Sequence, residues 1–114
     1  MKKDPIIYLE HMVECISKIE MFVGKIGKDQ FFKDELRKSA VLREITLIGE
    51  SAKNIPIDYT KKYPQIPWKD INGARDKLIH NYLGIDYEII WQIIDREIPK
   101  LKKELKLVIK KEKT

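Results

Sequence analysis

Apolar residues recur at spacings of three and four along almost the whole of this 114-residue chain. Such spacings place side chains on one face of an α-helix, whereas a half-buried strand would alternate at every second residue. Only five glycines and five prolines interrupt the pattern, which is too few for the many turns of an all-β fold. The chain is therefore predicted to be all-α, with glycine and proline marking the ends of its helices.

The first two long helices have recognisable boundaries. Asp4 followed by Pro5 predicts an N-cap and a proline in the first helical position, and Gly24 and Gly27 predict the end of that helix. A second helix is predicted from residue 29 or 33 to about 55, where Pro56 stops it. Its two apolar stripes are Val41, Ile45, Ile48, Ala52 and Ile55, and Leu36, Ala40 and Leu47. Two stripes predict two neighbours, one within the chain and one in a second subunit.

The second half of the chain predicts one short connecting helix within residues 58–63 and two further long helices. The third long helix is predicted from residue 68 to about 82, and the last opens at Asp86, a favourable N-cap. Pro99 falls inside the last pattern and is expected to kink or divide that helix, and residues 110–114 are expected to fray. Residues 1–114 are thus predicted to form one domain, an up-and-down bundle of four main helices.

Composition restricts the possible compartments and partners. The net charge of +5 permits a polyanionic partner such as RNA without requiring one. The single cysteine, Cys15, excludes a disulfide framework and a cysteine-built zinc site. No apolar run approaches the roughly 20 residues of a membrane span. Because no charged and then apolar leader opens the chain, the cytoplasm is the expected compartment.

Two histidines and four arginines make the candidate site easy to trace. His11 is interpreted as a surface or half-buried side chain. His80 lies near the end of its predicted helix, where the helix dipole favours positive charge, and a histidine there can give and take a proton. Arg75 precedes it by five residues, about 140° around the helix, whereas Tyr82 lies within about 20° of Arg75. Arg75 and His80 can converge if the last turn loosens or if two copies of the helix meet; otherwise Arg75 forms a salt bridge and His80 caps its helix.

Several motifs together resemble the HepT family of the HEPN superfamily over residues 4 to about 105. They are Ile48-Gly49-Glu50-Ser51-Ala52-Lys53, the Pro67-Trp68 helix opening, Arg75-x4-His80-Asn81-Tyr82, Gly84-Ile85-Asp86 and Ile90-Trp91. Asp76 stands where asparagine commonly follows the arginine, and Ser51 replaces an alanine. Neither departure touches the Arg, His or Tyr of the motif.

The resemblance implies a dimerising HEPN-like fold and a ribonuclease toxin that needs no metal or cofactor. Arg75 and His80 would be its catalytic pair, with His80 moving a proton and Arg75 holding the RNA phosphate. The resemblance also implies a type VII toxin–antitoxin system, in which an MntA-type nucleotidyltransferase silences the toxin by transferring AMP to Tyr82. Glu50 and Arg43, which share a face of the second helix, are interpreted as having a structural salt-bridge or surface role, or as forming the rim of the dimer cleft.

A second class of function stays open. The chain could be a non-catalytic HEPN-type helical module that partners a nucleotidyltransferase or binds nucleotides. The intact arginine, histidine and tyrosine favour the catalytic alternative, because a scaffold needs none of the three.

Overall fold

A computed structural model describes residues 4–114, and Met1 to Lys3 of the predicted domain lie outside the described residues. This part of the chain is helical throughout and contains no strand. The helices are α1 (Pro5–Val23), α2 (Lys28–Lys33), α3 (Glu35–Lys53), α4 (Ile57–Lys62), α5 (Trp68–His80), α6 (Tyr87–Gln92) and α7 (Ile98–Lys113). A 3₁₀ turn (Tyr82–Gly84) follows α5, and a π-helical segment (Ile93–Glu97) joins α6 to α7. The predicted all-α class is confirmed.

Helix α1 has the predicted ends. The Asp4 carboxylate accepts a hydrogen bond from the Ile6 amide at 2.9 Å, and Pro5 occupies the first turn. Gly24 ends the helix with a φ of 58°, a left-handed conformation that costs glycine little because it has no Cβ.

The second long helix begins near the later of its two predicted starts, at Glu35, while a continuous helix from residue 29 is wrong because residues 28–33 form the separate helix α2. Asp34 leaves the helical conformation, and its carboxylate accepts from the Arg37 amide at 3.0 Å, so that it caps α3. A capping aspartate offers the backbone an alternative to the helical hydrogen bond, and the chain therefore restarts at Glu35. Helix α3 ends at Lys53, two residues before the predicted end, although Ile55 is still buried.

Helix α3 lies at the centre of the bundle. It packs against both α1 and α5, while α7 packs against α1. All five residues of its predicted core stripe are buried. In the second stripe Leu36 is 82% exposed, and Ala40 and Leu47 are half-buried. Two neighbours of α3 are therefore present within the chain, and of the second stripe only Leu36 is left exposed.

The last predicted helix is divided before Pro99, as the position of this proline suggested. Asp86 caps α6 by accepting from the Glu88 amide at 2.9 Å. The π-helical segment follows, and α7 then begins with Pro99 in its first turn, where a proline needs no amide hydrogen bond. The predicted core face continues across this joint, because Ile90, Ile98 and Leu105 are all buried.

The C-terminal tail differs from the expected fray, because α7 continues to Lys113. Lys113 Nζ lies 2.8 Å from a Glu10 carboxylate oxygen. Glu112 accepts from Lys62 at 3.0 Å and from the Tyr63 hydroxyl, and the hydrogen bond from Lys62 lowers the pKa of Glu112. Contacts with α1 and with the end of α4 thus hold the last turn.

Among the helices of residues 4–114, none is both long enough and apolar enough to cross a membrane.

Candidate active site

Arg75 is held between two carboxylates. Its Nε donates to Glu50 Oε1 at 2.7 Å, and its Nη1 donates to Asp76 Oδ1 at 3.0 Å. The side chain is only 18% exposed, so its direction is fixed by packing as well as by these bonds. The second N–H of Nη1 and both N–H groups of Nη2 remain to hold another anion.

Gly49 allows α5 to approach α3 at this point. A Cβ placed on Gly49 would lie 2.5 Å from Arg75 Cβ and 2.9 Å from Arg75 Cδ. No side chain therefore fits between the two helices here. The glycine sets how closely the stem of Arg75 lies on the backbone of α3, and it precedes Glu50, which binds the guanidinium.

A cavity of about 550 Å³ opens beside Arg75. Its polar lining includes Lys53, Asn72 and Asp76, and the partly buried ring of Trp68 forms part of one wall. The indole nitrogen of Trp68 donates to the Tyr63 carbonyl at 3.0 Å, which fixes the ring. A cavity with cations, an amide and an aromatic wall can accept a segment of nucleic acid strand.

His80 is exposed and is the last residue of α5. The helix is regular through His80, and the Asn81 amide still donates to the Lys77 carbonyl at 2.9 Å. The backbone loosens only after His80, at Asn81, where φ is −137° and ψ is 44°. Loosening of the last turn therefore does not bring His80 around to Arg75, and of the two predicted ways to unite them only a meeting of two copies remains.

Tyr82 lies outside α5, which corrects the prediction that this helix reaches it. Because Asn81 breaks the helix, Tyr82 does not keep the helical relation to Arg75. It is 56% exposed and lines a different cavity of about 300 Å³, together with Arg43 and Leu78. A short 3₁₀ turn follows, in which the Gly84 amide donates to the Asn81 carbonyl at 3.0 Å.

Glu50 and Arg43 do not pair with each other. Glu50 binds Arg75, while Arg43 Nη1 donates to Glu44 Oε2 at 2.9 Å. The two residues share α3 but serve different cavities, since Arg75 lines one and Arg43 the other.

Glu44 is the residue that sequence reasoning missed. It is 1% exposed, and its Oε1 is buried without a hydrogen-bond partner among the described residues. A signal was present, because Glu44 lies three residues after Val41 and four before Ile48, on the predicted core stripe. A carboxylate at such a position calls for a partner, which here is Arg43.

A small polar cluster joins α1 to α3 near Glu44. His11 is half-buried, in agreement with the prediction, and its Nδ1 lies 2.5 Å from Ser51 Oγ. The thiol of Cys15 lies 3.9 Å from His11 Nε2. Burial, together with the smaller effect of the nearby Glu44 carboxylate, raises the pKa of Cys15 to about 12. Cys15 is thus an inert, protonated thiol at neutral pH.

Within residues 4–114, no group of three or more His, Cys, Asp and Glu side chains has an arrangement that could hold a metal ion.

Comparison with known proteins identifies relatives. The sequence pattern of the family described as Ribonuclease HepT-like matches residues 12–108. The chain is 46% identical over 112 residues to "Putative RNase TTE0752" of Caldanaerobacter subterraneus subsp. tengcongensis, covering 97% of this chain and 99% of the relative. It is 41% identical over 102 residues to "Probable ribonuclease HepT" of Thermococcus cleftensis, covering 90% and 93%. No solved structure shows a significant match to the chain.

Proposed function

The chain belongs to the family of HepT-like ribonucleases, and we propose that it is an endoribonuclease in which Arg75 and His80 act together without a metal. The observation that carries the proposal is the fixed guanidinium of Arg75, held by Glu50 and Asp76 at the edge of a cavity. Its remaining N–H groups can hold two oxygens of an RNA phosphate and stabilise the charge that builds on them.

His80 supplies the proton transfer in this proposal. Its exposed imidazole can take the proton of the ribose 2′-hydroxyl, whose oxygen then attacks the neighbouring phosphorus. The bond from phosphorus to the 5′-oxygen breaks, and the protonated imidazole returns its proton to that leaving oxygen. The products are a 2′,3′-cyclic phosphate and a free 5′-hydroxyl, so the cleavage needs no external nucleophile.

We propose that two copies of the chain form the complete site. Arg75 and His80 are about 140° apart on a regular helix, so one copy does not present both to the same phosphate. On α3, the 82% exposed Leu36 with the half-buried Ala40 and Leu47 beside it offers a surface for a second copy. Sedimentation of the wild type is expected to give a dimer, and Leu36→Lys is expected to weaken it and the cleavage together. A monomeric wild type that cleaves RNA would contradict the shared site.

Cleavage of RNA in EDTA by the purified protein tests the assignment. His80→Ala and Arg75→Ala are each expected to lower the rate by about 100-fold or more, the usual contribution of a proton-transfer or charge-stabilising group. Arg96→Ala is the matched control, because Arg96 is an exposed arginine of the π-helical segment that is not part of the motif. Wild-type rates in the His80→Ala protein would refute its role.

We also propose that the protein is the toxin of a pair and that a nucleotidyltransferase silences it at Tyr82. The Tyr82 oxygen would attack the α-phosphorus of ATP and release pyrophosphate, leaving AMP on the ring. Support comes from exposure, since Tyr82 is 56% exposed and its neighbours Leu83 and Ile79 are 99% and 46% exposed. An enzyme can therefore reach the ring, and added phosphate brings negative charge close to His80.

Intact mass after co-expression with the neighbouring nucleotidyltransferase tests this modification. The wild type is expected to gain the mass of one or more AMP residues and to lose cleavage activity, while Tyr82→Phe gains none and stays active. Adducts on the Tyr82→Phe protein would place the modification elsewhere. If cells expressing the wild type grow as well as cells expressing Arg75→Ala or His80→Ala, and the wild type cleaves no RNA, the protein is better described as the non-catalytic module.

A further inference from the structure

A second cavity, which we call the Tyr82 pocket, lies between α3 and the end of α5. Its volume is about 300 Å³, and Arg43, Thr46 and Tyr82 are its main polar residues. Leu47 from α3 and Leu78 from α5 contribute apolar wall. This is the lower end of the roughly 300–1,000 Å³ range of small-ligand sites, and Arg75 does not line it.

The guanidinium of Arg43 in this pocket is oriented by a buried carboxylate. Arg43 is 70% exposed, yet its Nη1 donates at 2.9 Å to Glu44, which is 1% exposed. The other oxygen of Glu44 is buried without a hydrogen-bond partner among residues 4–114. Burying a carboxylate is costly, and here its charge serves to orient a guanidinium whose other N–H groups stay open to solvent.

The lining specifies the chemistry of a ligand. A guanidinium with its free edge exposed suits the two oxygens of a phosphate. An exposed phenol ring and leucine side chains suit a flat, mostly apolar group, and aromatic rings of this kind stack on nucleobases. Both features line one small cavity, so a single molecule that carries a phosphate and a base can contact both.

We propose that the Tyr82 pocket is a nucleoside monophosphate subsite, in which Arg43 holds the phosphate and Tyr82, Leu47 and Leu78 contact the base. Two sources share this chemistry: a nucleotide of the RNA substrate, or an AMP group joined to Tyr82 itself. The subsite stands on the geometry of the pocket, and only its link to these two sources rests on the proposed function.

Titration with AMP, followed by NMR or calorimetry, tests the subsite without any cleavage. AMP is expected to bind the wild type, and Arg43→Gln is expected to weaken it about ten-fold, as loss of a charge-assisted hydrogen bond does. Arg96→Gln is the matched control and is expected to bind as the wild type does. Adenosine and inorganic phosphate, each lacking one half of the ligand, are expected to bind less tightly than AMP.

Two outcomes would overturn the proposal. One is the absence of AMP binding at millimolar concentration. In that case a side chain from a second copy of the chain is the alternative occupant of the pocket. The other is equal affinity in the wild type and Arg43→Gln. Because Arg43→Gln removes the charged partner of buried Glu44, circular dichroism of the variant is recorded beside the titration to separate a loss of AMP binding from a loss of the fold. An inactive wild type that still binds AMP through Arg43 would refute the ribonuclease assignment alone.

Two further measurements distinguish the sources. If an RNA nucleotide fills the pocket, Arg43→Gln raises the KM for RNA several-fold while kcat changes little. If AMP on Tyr82 fills it, the KM is unchanged, and the AMP-carrying Arg43→Gln protein regains cleavage activity that the AMP-carrying wild type lacks. If Arg43→Gln alters neither the KM for RNA nor the activity of the AMP-carrying protein, the pocket takes no part in RNA cleavage or in its control, and that connection is overturned.

Discussion

Two regions of α5 differ sharply in how the fold constrains them. Around Arg75 the helix lies directly on the backbone of α3, and the side chain is fixed by Glu50, Asp76 and the absence of a side chain at Gly49. From Ile79 to Gly84 the chain leaves the bundle, and every residue in that segment is exposed. One end of the motif is packed and the other faces solvent.

The contrast indicates a division of labour. A group that must hold a phosphate in a fixed direction gains from packing, because orientation is settled before the substrate arrives. A group that must meet a second copy, a substrate or a modifying enzyme gains from exposure. The packed region therefore supplies preorganisation, and the exposed region supplies access.

The largest expected effect is a difference in the reactivity of two thiols, one buried in the bundle and one on the exposed segment. In the native protein at pH 8, Cys15 is expected to react with iodoacetamide about 1,000-fold more slowly than an ordinary thiol, because its pKa is raised from 9.0 to about 12. The variant Leu83→Cys places a second thiol where the side chain is 99% exposed. Intact mass is expected to show one label at residue 83 and none on Cys15 until the protein is unfolded. Equal labelling of both in the native state would break the contrast.

The next effect tests the fixed guanidinium. Arg75→Lys keeps the charge, but one ammonium group cannot reproduce the planar fork that binds Glu50, Asp76 and a phosphate at once. Cleavage of RNA in EDTA is expected to fall by about 100-fold, with the fold retained in circular dichroism. Arg96→Lys serves as the control and is expected to cleave normally. Full activity of Arg75→Lys would show that only the charge matters.

A smaller effect tests the packing beneath Arg75. Gly49→Ala places a Cβ within 2.5 Å of Arg75 Cβ, and such overpacking costs about 1–3 kcal/mol of unfolding free energy. Gly73→Ala is the matched control, because its Cβ meets nothing within 4 Å and alanine stabilises a helix by about 1 kcal/mol relative to glycine. Urea unfolding is expected to shift in opposite directions for the two variants. A Gly49→Ala protein as stable as Gly73→Ala would mean that the helices separate without cost.

The smallest effect concerns the exposed end. A Cβ on Gly84 would lie 2.7 Å from Asn81 Oδ1, nearly as close as the contact at Gly49. The neighbour here is the tip of a flexible, exposed side chain that can rotate away, so Gly84→Ala is expected to change the unfolding free energy by less than about 0.5 kcal/mol. The same urea measurement compares it with Gly49→Ala. A comparable loss in both would show that the 3₁₀ turn is as rigid as the helix crossing.

Particular residues show how far the sequence could predict the molecule. Asp4, Gly24 and Asp86 mark helix ends by local chemistry, and the structure has those ends. Asp34 is equally a capping residue, but no proline or glycine follows it, and the continuous apolar pattern concealed the break. The fray predicted at the C terminus failed for another reason, since Glu112 and Lys113 find partners on helices far away in the sequence.

The candidate site divides in the same way. The spacing of Arg75, His80 and Tyr82 was evident from the sequence, and so was the angle between Arg75 and His80. Tyr82 leaves the helix because of the backbone conformation of one residue, Asn81. No local sequence pattern predicted that conformation. That Arg43 binds buried Glu44 instead of Glu50 depends on which face of α3 meets α1.

By itself, the sequence determined the all-α class, most helix boundaries and the residues capable of chemistry, because caps and apolar periodicity act over a few residues. Tertiary structure decided which carboxylates hold Arg75, where Tyr82 lies and why Gly49 is a glycine. These features arise where α3 meets α5, between residues about 25 positions apart. Side-chain contacts across that distance depend on how whole helices pack, and no local pattern encodes the packing.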